Sequence, residues 1–252
     1  MKYAVVTGVS RGLGESVAKI LLDQGTHVIG VSRSSSETLI KSAEKNNVTF
    51  QQYSCDLGDL KAIEDTFTNI INDLSSQDLS TLFLVNNAAV IDPVDQAMNI
   101  KSEDLAYHIQ VNTIAPIVLM NMFLKKSTEK QVPFIGVTIT SGAAERPVYG
   151  WSAYCSSKAS INMYTKTVAL EQAELNTGNK VIAFSPGIMD TDMQNKIRSS
   201  SPKEFADVDT FRKYKKNNLL KGTDDVGGIL VDILTDETSL ESGKIYNVKD
   251  YY

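Results

Sequence analysis

The chain has 252 residues, of which 30 are acidic and 25 basic, and its net charge of −5 argues against a nucleic-acid-binding surface. Its length fits one α/β domain over residues 1–252, and no apolar run is long enough to span a bilayer. The two cysteines, Cys55 and Cys155, fit no metal-ligand spacing and no signal sequence precedes the first strand, so we expect a cytoplasmic protein without a metal site.

The N-terminal stretch has the pattern of a strand, a glycine-rich loop and a helix. Residues 3–6 form a short apolar run, and a helical apolar pattern that stops at Gly25 follows the loop. Glycines let the backbone approach a pyrophosphate closely, and a helix N-terminus adds unpaired N–H groups. The alternative is a plain glycine-rich turn. We predict a dinucleotide site formed by Gly8, Ser10, Arg11, Gly12, Leu13 and Gly14.

The second strand, residues 27–31, ends close to Arg33. In a dinucleotide-binding unit this is where an acidic residue would bind the free ribose 2′-hydroxyl of NAD. The first acidic residue after the strand is Glu37, whereas the guanidinium of Arg33, helped by Arg11, suits a 2′-phosphate. This pattern favours NADP(H), although Arg33 could also be a solvated loop residue.

The alternation of strands and helices continues along the chain. Strands are predicted up to Tyr53 and over residues 82–85, 134–140, 180–185 and 245–248, and helices over residues 60–74, from about Glu103 to Leu124, and from about Ser152. The pattern after Thr191 is irregular, and we expect residues 190–218 to cover the substrate. The predicted fold is a Rossmann-type, doubly wound parallel sheet of about seven strands flanked by helices on both faces.

Two polar residues on the helix that follows Ser152 suggest acid–base chemistry. Tyr154 and Lys158 are four residues apart, so they lie one turn apart on the same face. A neighbouring ammonium would lower the pKa of the phenol and tune it for proton transfer. Alone, this spacing is weak evidence, because a half-buried tyrosine beside an extended lysine explains it better than a catalytic pair does. Asn112 is a second candidate, because asparagine is unfavourable within a helix unless its amide has a partner.

Several motifs together resemble the short-chain dehydrogenase/reductase family over nearly the whole chain. They occur in family order: Thr7-Gly8-x3-Gly12-x-Gly14, Asn86-Asn87-Ala88, Asn112, Ser141, Tyr154-x3-Lys158 and Pro186-Gly187-x3-Thr191. One departure is Ala89, where the family usually has glycine.

The resemblance implies a role for each matching residue. Tyr154 would be the general acid, Ser141 would hold the substrate oxygen, Lys158 would tune Tyr154 and bind the nicotinamide ribose, and Asn112 would hold a water that links Lys158 to solvent. It also implies a homodimer, paired through the helices that bear Asn112 and Tyr154. Further cofactor contacts would come from Asp56, Leu57, Asn87, Ala88, Pro186, Gly187, Ile188 and Thr191.

The predicted substrate site is apolar and partly aromatic. The residues expected there are Ser141, Ala143, Val148, Trp151, Tyr154 and Met189. Such walls favour a neutral, flat substrate, so we predict reduction of one carbonyl of a bulky α-diketone such as benzil. Alternatively, the apolar residues could simply pack beneath the covering segment. Arg146 is close in sequence to these residues, so the site could also favour a substrate that carries a negative charge.

Three other functions compete with this hypothesis. A non-catalytic NADP(H)-binding protein would keep the glycine loop but would not need Ser141, Tyr154 and Lys158 together. A pterin or other ketone reductase would differ only in its substrate. An NAD-linked alcohol dehydrogenase is disfavoured, because no acidic residue directly follows the second strand.

Overall fold

Seven parallel strands form one sheet in the computed structural model, which describes residues 1–252. The strands are β1 Lys2–Thr7, β2 His27–Val31, β3 Phe50–Tyr53, β4 Thr81–Asn86, β5 Phe134–Ile139, β6 Lys180–Ser185 and β7 Ile245–Asn247. Their order in the sheet is β3-β2-β1-β4-β5-β6-β7. This confirms the predicted doubly wound parallel sheet.

Nine α-helices connect and cover the strands. They are α1 Gly12–Asp23, α2 Glu37–Lys45, α3 Leu60–Ser75, α4 Ser102–Ile109, α5 Ala115–Lys130, α6 Ser152–Glu174, α7 Asp192–Ser199, α8 Val208–Lys216 and α9 Thr223–Thr235. None of them combines the length and the apolar character that a membrane-spanning segment requires.

The sheet is buried on both faces because its strands alternate between two apolar cores. Along β1, Ala4 and Val6 pack toward α1 and α9, whereas Tyr3 and Val5 pack toward α3 and α5. Strands that are apolar on both faces are typical of parallel sheets covered by helices on each side.

The helix predicted over residues 103–124 is longer and less regular than its pattern indicated. A π-helical turn, Gln110–Ile114, joins α4 to α5, and α5 continues to Lys130. The prediction ended too early because the last turns of α5 are mostly polar and face outward. The helix ends at Gln131, which adopts a left-handed conformation with φ of 55°.

The segment after Thr191, whose pattern was irregular, contains two short helices, α7 and α8. Both are strongly amphipathic and mostly polar, and their few apolar residues, such as Ile197, Val208 and Phe211, are buried against the rest of the protein. Helices α2 and α9 were also not predicted. Helix α9 packs on α1, where Gly227 lies against Ser16.

Candidate active site

The cleft lies where the chain order of the sheet reverses. From β1 the chain moves outward to β2 and β3 and then returns to β4 on the other side of β1. The carboxyl ends of parallel strands meet at one edge, and a crevice forms at such a reversal. Here it is a cleft of about 1340 Å³.

The glycine loop between β1 and α1 forms the floor of the cleft. Gly8 and Gly12 adopt positive φ angles of 75° and 62°, which L side chains rarely adopt. A methyl group at Gly14 would lie 2.2 Å from the carbonyl oxygen of Gly8, so only glycine lets α1 begin so close to the loop. Gly12 and Leu13, at the start of α1, line the cleft, and the unpaired backbone N–H groups of a helix N-terminus fit a pyrophosphate.

Three hydrogen bonds fix this loop to the end of β4. Thr7 Oγ1 accepts the N–H groups of Asn87 and Ala88 at 3.0 and 3.1 Å, and Asn87 Nδ2 donates to the carbonyl oxygen of Thr7 at 3.0 Å. The Asn87 side chain therefore has a structural role beside any contact with a cofactor.

Two arginines lie at the outer end of the cleft. Arg33 is exposed just after β2, and Arg11 lines the same cleft but pairs with Asp192 at 2.8 Å. Glu37 begins α2 and faces Lys41 at 3.9 Å. The residues present therefore fit a phosphate on the ribose. Arg11 is already in an ion pair with Asp192, so Arg33 is the guanidinium group that is more available to bind this phosphate.

The catalytic candidates meet at the inner end of the cleft. Tyr154 and Lys158 lie in the first two turns of α6 and are only 7% and 3% exposed. Ser141 directly follows β5, and its Oγ atom accepts the N–H of Ala143 at 3.2 Å. All three line the cleft, which brings a hydroxyl, a phenol and an ammonium to one place.

Burial sets the protonation of this pair. It raises the pKa of Tyr154 to about 12, although contact with the Ser141 side chain lowers it, and it lowers the pKa of Lys158 to about 8. The expected lowering of the tyrosine pKa by Lys158 is not found. The reason is geometric, because Lys158 Nζ donates to the Ile139 carbonyl at 2.9 Å and lies 5.6 Å from the centre of the Tyr154 ring.

Asn112 lies in the π-helical turn, behind the wall of the cleft. Its amide oxygen accepts the Val90 N–H at 2.9 Å, and its amide nitrogen donates to the Val90 carbonyl at 2.7 Å and lies 3.0 Å from His108 Nε2. Both amide hydrogens therefore have partners within the protein. A water that links Lys158 to solvent would need another atom of Asn112, such as its backbone carbonyl oxygen.

His108 is a buried neighbour of these groups that the sequence analysis did not identify. Its Nδ1 lies 2.5 Å from the Asp92 carbonyl oxygen and its Nε2 lies 3.1 Å from Ser157 Oγ. Burial, and then the charge of Lys158, lower the pKa of His108 to about 4. The neutral ring can therefore donate from Nδ1 and accept from Asn112 at Nε2. The sequence feature that could have identified His108 is its position one helical turn before Asn112.

The substrate side of the cleft is apolar but partly closed. Trp151 is 5% exposed because its indole stacks on Phe205, with ring centroids 4.7 Å apart and planes 12° apart. Phe211 meets the same indole edge-on at 5.5 Å. Trp151 therefore holds the α7–α8 segment against the start of α6, and much of its ring surface is used in that packing.

Two ion pairs also attach the α7–α8 segment to the protein near the cleft. Lys196 on α7 pairs with Asp92, and Lys215 on α8 pairs with Asp190 at 2.6 Å. Together with the aromatic contacts they hold residues 192–216 beside the inner end of the cleft. This segment adds wall residues that the sequence did not indicate, among them Ile197, Asp207, Phe211 and Tyr214.

The structure brings nearly all of the predicted site residues into this one cleft. Gly14 and Asn112 are the exceptions, since both are buried behind its wall. The predicted residues that line it are Gly8, Ser10, Arg11, Gly12, Leu13, Arg33, Asp56, Leu57, Asn87, Ala88, Ser141, Ala143, Val148, Trp151, Tyr154, Lys158, Pro186, Gly187, Ile188, Met189 and Thr191.

Comparison with known proteins agrees with this geometry. The sequence profile described as short chain dehydrogenase matches residues 2–202. The chain is 36% identical over 251 residues to a Bacillus subtilis (strain 168) protein named benzil reductase ((S)-benzoin forming), with 100% of both chains covered. It is 35% identical to a Bacillus cereus protein of the same name, covering 94% of this chain and 95% of the relative.

Two solved structures superpose over almost the full length. A short chain dehydrogenase/reductase from Saccharomyces cerevisiae has a TM-score of 0.82 and 28% identity, covering 98% of this chain and 96% of that chain. A short chain dehydrogenase from Burkholderia cenocepacia J2315 in complex with NADP has a TM-score of 0.78 and 25% identity, covering 98% and 95% of the two chains.

Proposed function

The chain belongs to the short-chain dehydrogenase family of oxidoreductases, and on that premise we propose that it is an NADPH-dependent carbonyl reductase that converts one carbonyl of a neutral, apolar α-diketone into an alcohol. The observation that carries the proposal is the convergence of Ser141, Tyr154 and Lys158 in one cleft, beside a wall that includes the apolar residues Val148, Trp151 and Met189. A protein that only bound a dinucleotide would not need these three groups together.

The proposed preference for NADPH is based on residues at the outer end of the cleft. The N–H groups at the start of α1 would hold the pyrophosphate, and Arg33, with Arg11 beside it, would hold a ribose 2′-phosphate. Bound there, NADPH supplies the hydride that reduces the carbonyl carbon. The Burkholderia cenocepacia neighbour, whose structure is a complex with NADP, supports this choice.

The protein supplies orientation and a proton. The Ser141 hydroxyl donates a hydrogen bond to the substrate oxygen and fixes its position beside Tyr154. Tyr154, protonated because burial holds its pKa at about 12, transfers its proton to that oxygen as negative charge develops. The Lys158 ammonium, which lines the same cleft, supports the reprotonation of Tyr154.

The proposed substrate class is based on the residues that form the walls of the cleft near Tyr154. Val148, Trp151 and Met189 present apolar surface, which favours flat, neutral rings through area burial and aromatic contact. Lys196 is engaged by Asp92, so its charge is partly neutralised. The two Bacillus relatives named benzil reductase support an α-diketone over a pterin or another ketone.

A comparison of two aromatic substrates tests the proposal. Benzil and benzoylformate share a phenyl ketone next to a second carbonyl group, but benzoylformate carries a carboxylate. With NADPH we expect a higher kcat/KM for benzil, and one enantiomer of benzoin on a chiral column. A preference for benzoylformate that Arg146→Gln abolishes would identify an anion site instead, and a racemic product would rule out a single binding orientation.

A further inference from the structure

Tyr107 is an aromatic residue of the cleft to which neither the sequence analysis nor the proposed mechanism assigns a role. It lies on α4, one turn before Val111, and both residues line the cleft. Its side chain is 41% exposed, so it is neither a core residue nor a freely solvated one.

The Tyr107 ring rests directly on the backbone of Gly58. A methyl group at Gly58 would lie 2.3 Å from Tyr107 Cε2 and 2.9 Å from Cδ2, so the ring occupies the space of the missing side chain. Gly58 belongs to a fixed turn, since its N–H donates to Asp56 Oδ1 at 2.9 Å and the following residue, Asp59, caps α3. The ring is therefore held beside Asp56 and Leu57.

We infer that the Tyr107 ring forms the outer wall of the adenine site and packs against the base. The inference rests on the proposed function, because it requires a cofactor that carries adenosine. Arg33 follows β2, and Asp56 and Leu57 follow β3, so these residues surround the end of the cleft at which the adenosine half must lie. Adenine is flat and has two π faces, which an aromatic side chain recognises by stacking or by an edge contact.

The expected contribution follows from the size of such contacts. An aromatic pair changes affinity by about 3- to 10-fold beyond the burial of area alone. The effect should be confined to ligands that contain adenine. It should not depend on the 2′-phosphate, since Arg33 and not Tyr107 carries the charge that a phosphate needs.

Two half-cofactors separate the adenine end from the nicotinamide end. Binding of 2′,5′-ADP is measured by calorimetry, and binding of reduced nicotinamide mononucleotide by its fluorescence, for the unchanged protein and for Tyr107→Ala and Tyr107→Phe. We expect Tyr107→Ala to weaken 2′,5′-ADP about 3- to 10-fold and to leave the mononucleotide unchanged. Tyr107→Phe keeps the ring and should bind both as the unchanged protein does. Tyr251→Ala, at a 47% exposed tyrosine outside the cleft, is the matched control.

Gly58→Ala tests the contact between Gly58 and the Tyr107 ring by changing the glycine instead of the tyrosine. The new methyl group displaces the Tyr107 ring without removing it, so 2′,5′-ADP should bind more weakly in this variant. In a Tyr107→Ala background the added methyl group should have a smaller effect, because there is no ring to displace and only the contact with Asp56 Oδ1 at 3.2 Å remains.

The outcomes distinguish this inference from the proposed function. If the unchanged protein does not bind 2′,5′-ADP, the NADP(H) proposal fails and the inference fails with it. If the unchanged protein binds it and Tyr107→Ala binds it equally well, only the inference is wrong. Equal weakening of both half-cofactors would also overturn it, because that result indicates a general distortion of the cleft.

Discussion

The imidazole of His108 meets the phenol ring of Tyr154 edge to face, with ring centroids 6.2 Å apart and planes at 79°. His108 lies on α4 and Tyr154 on α6, so the contact connects the helix that leads into the π-helical turn with the helix that carries the proton donor. The same imidazole accepts a hydrogen bond from Asn112. A neutral His108 therefore contacts both Asn112 and Tyr154 and helps to hold these two candidate catalytic residues in position.

The protonation of His108 should make the stability of the protein depend on pH. Its pKa is lowered to about 4 from an ordinary value of 6.5, so between these values the unfolded chain binds a proton that the folded protein does not. Stability should therefore fall as the pH drops below 6.5, by about 2 kcal/mol at pH 5 from this group. Urea unfolding at pH 7 and pH 5 measures the difference.

His108→Gln supplies the test of that assignment. The amide oxygen can still accept from Asn112 but does not titrate, so the variant should lose much of the pH dependence. His27→Gln is the matched control, because burial also lowers the pKa of His27, which lies far from the cleft on β2. An unaltered pH dependence in His108→Gln would assign the effect to other groups.

Removal of the Tyr154 hydroxyl should abolish most turnover and leave cofactor binding intact. Tyr154→Phe keeps the ring and its contacts with His108 and Trp151 but removes the transferable proton. Loss of a positioned general acid typically lowers the rate ~10²- to 10⁴-fold. Steady-state kinetics and a fluorescence titration with NADPH test both parts. Tyr164→Phe, on the same helix, should have near-normal turnover, and near-normal turnover of Tyr154→Phe would refute the assignment.

The rate of reduction should fall at alkaline pH. Burial lowers the pKa of Lys158 to about 8 from 10.5, so the ammonium that supports reprotonation of Tyr154 is lost as the pH rises through 8. We expect kcat to be nearly constant between about pH 6 and 7.5 and to decrease by up to about tenfold per unit above 8. Lys158→Arg keeps its charge throughout this range, and its residual activity should lack the decrease. If the kcat of Lys158→Arg decreased with the same midpoint pH, Lys158 would be excluded as the cause of the alkaline decrease.

Arg33→Asp should change the cofactor preference. The substitution removes a charge-assisted contact with the 2′-phosphate, typically ~1.5–3 kcal/mol, so NADPH should bind roughly ten- to a hundredfold more weakly while NADH is not weakened. Arg11→Ala should have a smaller effect, because Arg11 already pairs with Asp192. KM values for both cofactors provide the measurement. Equal use of NADH and NADPH by the unchanged enzyme would contradict the prediction.

A homodimer paired through α5 and α6 remains a prediction from the family resemblance. Met163 and Leu170 lie two turns apart on α6 and are 65% and 63% exposed, so a partner subunit would bury apolar surface there. Leu170→Asp should convert dimers into monomers, as measured by light scattering. Leu219→Asp introduces the same charge at a leucine that is 60% exposed outside α6 and should leave the dimer intact. A monomeric unchanged protein would end the hypothesis.

The features that the sequence predicted are those with strong local signals. The apolar runs of β1 and β4 and the spacing of Gly8, Gly12 and Gly14 are short-range patterns with few structural solutions, so the sheet and the site of its crevice followed from them. Helical geometry places Tyr154 and Lys158 on one face, but their assignment as a catalytic pair depended on the other motifs of the family resemblance.

The features that the sequence did not predict depend on contacts between distant segments. Phe205 is fully buried, and Trp151, which stacks on it, lies more than fifty residues earlier in the chain. Likewise, nothing local indicates that His108 lies against Tyr154. The pKa of Tyr154 was misjudged for a related reason, since burial in the surrounding core raises it, and the spacing of Tyr154 and Lys158 does not reveal that burial.

Trp151 is the only tryptophan of the chain, and it is buried between the start of α6 and the α7–α8 segment. Intrinsic fluorescence excited at the indole band therefore originates at one position, next to the site proposed for the nicotinamide. Detachment of residues 192–216 would expose the indole to water and shift its emission to longer wavelength. Opening and closing of this segment can thus be followed in stopped-flow experiments on the unmodified protein, without an attached dye.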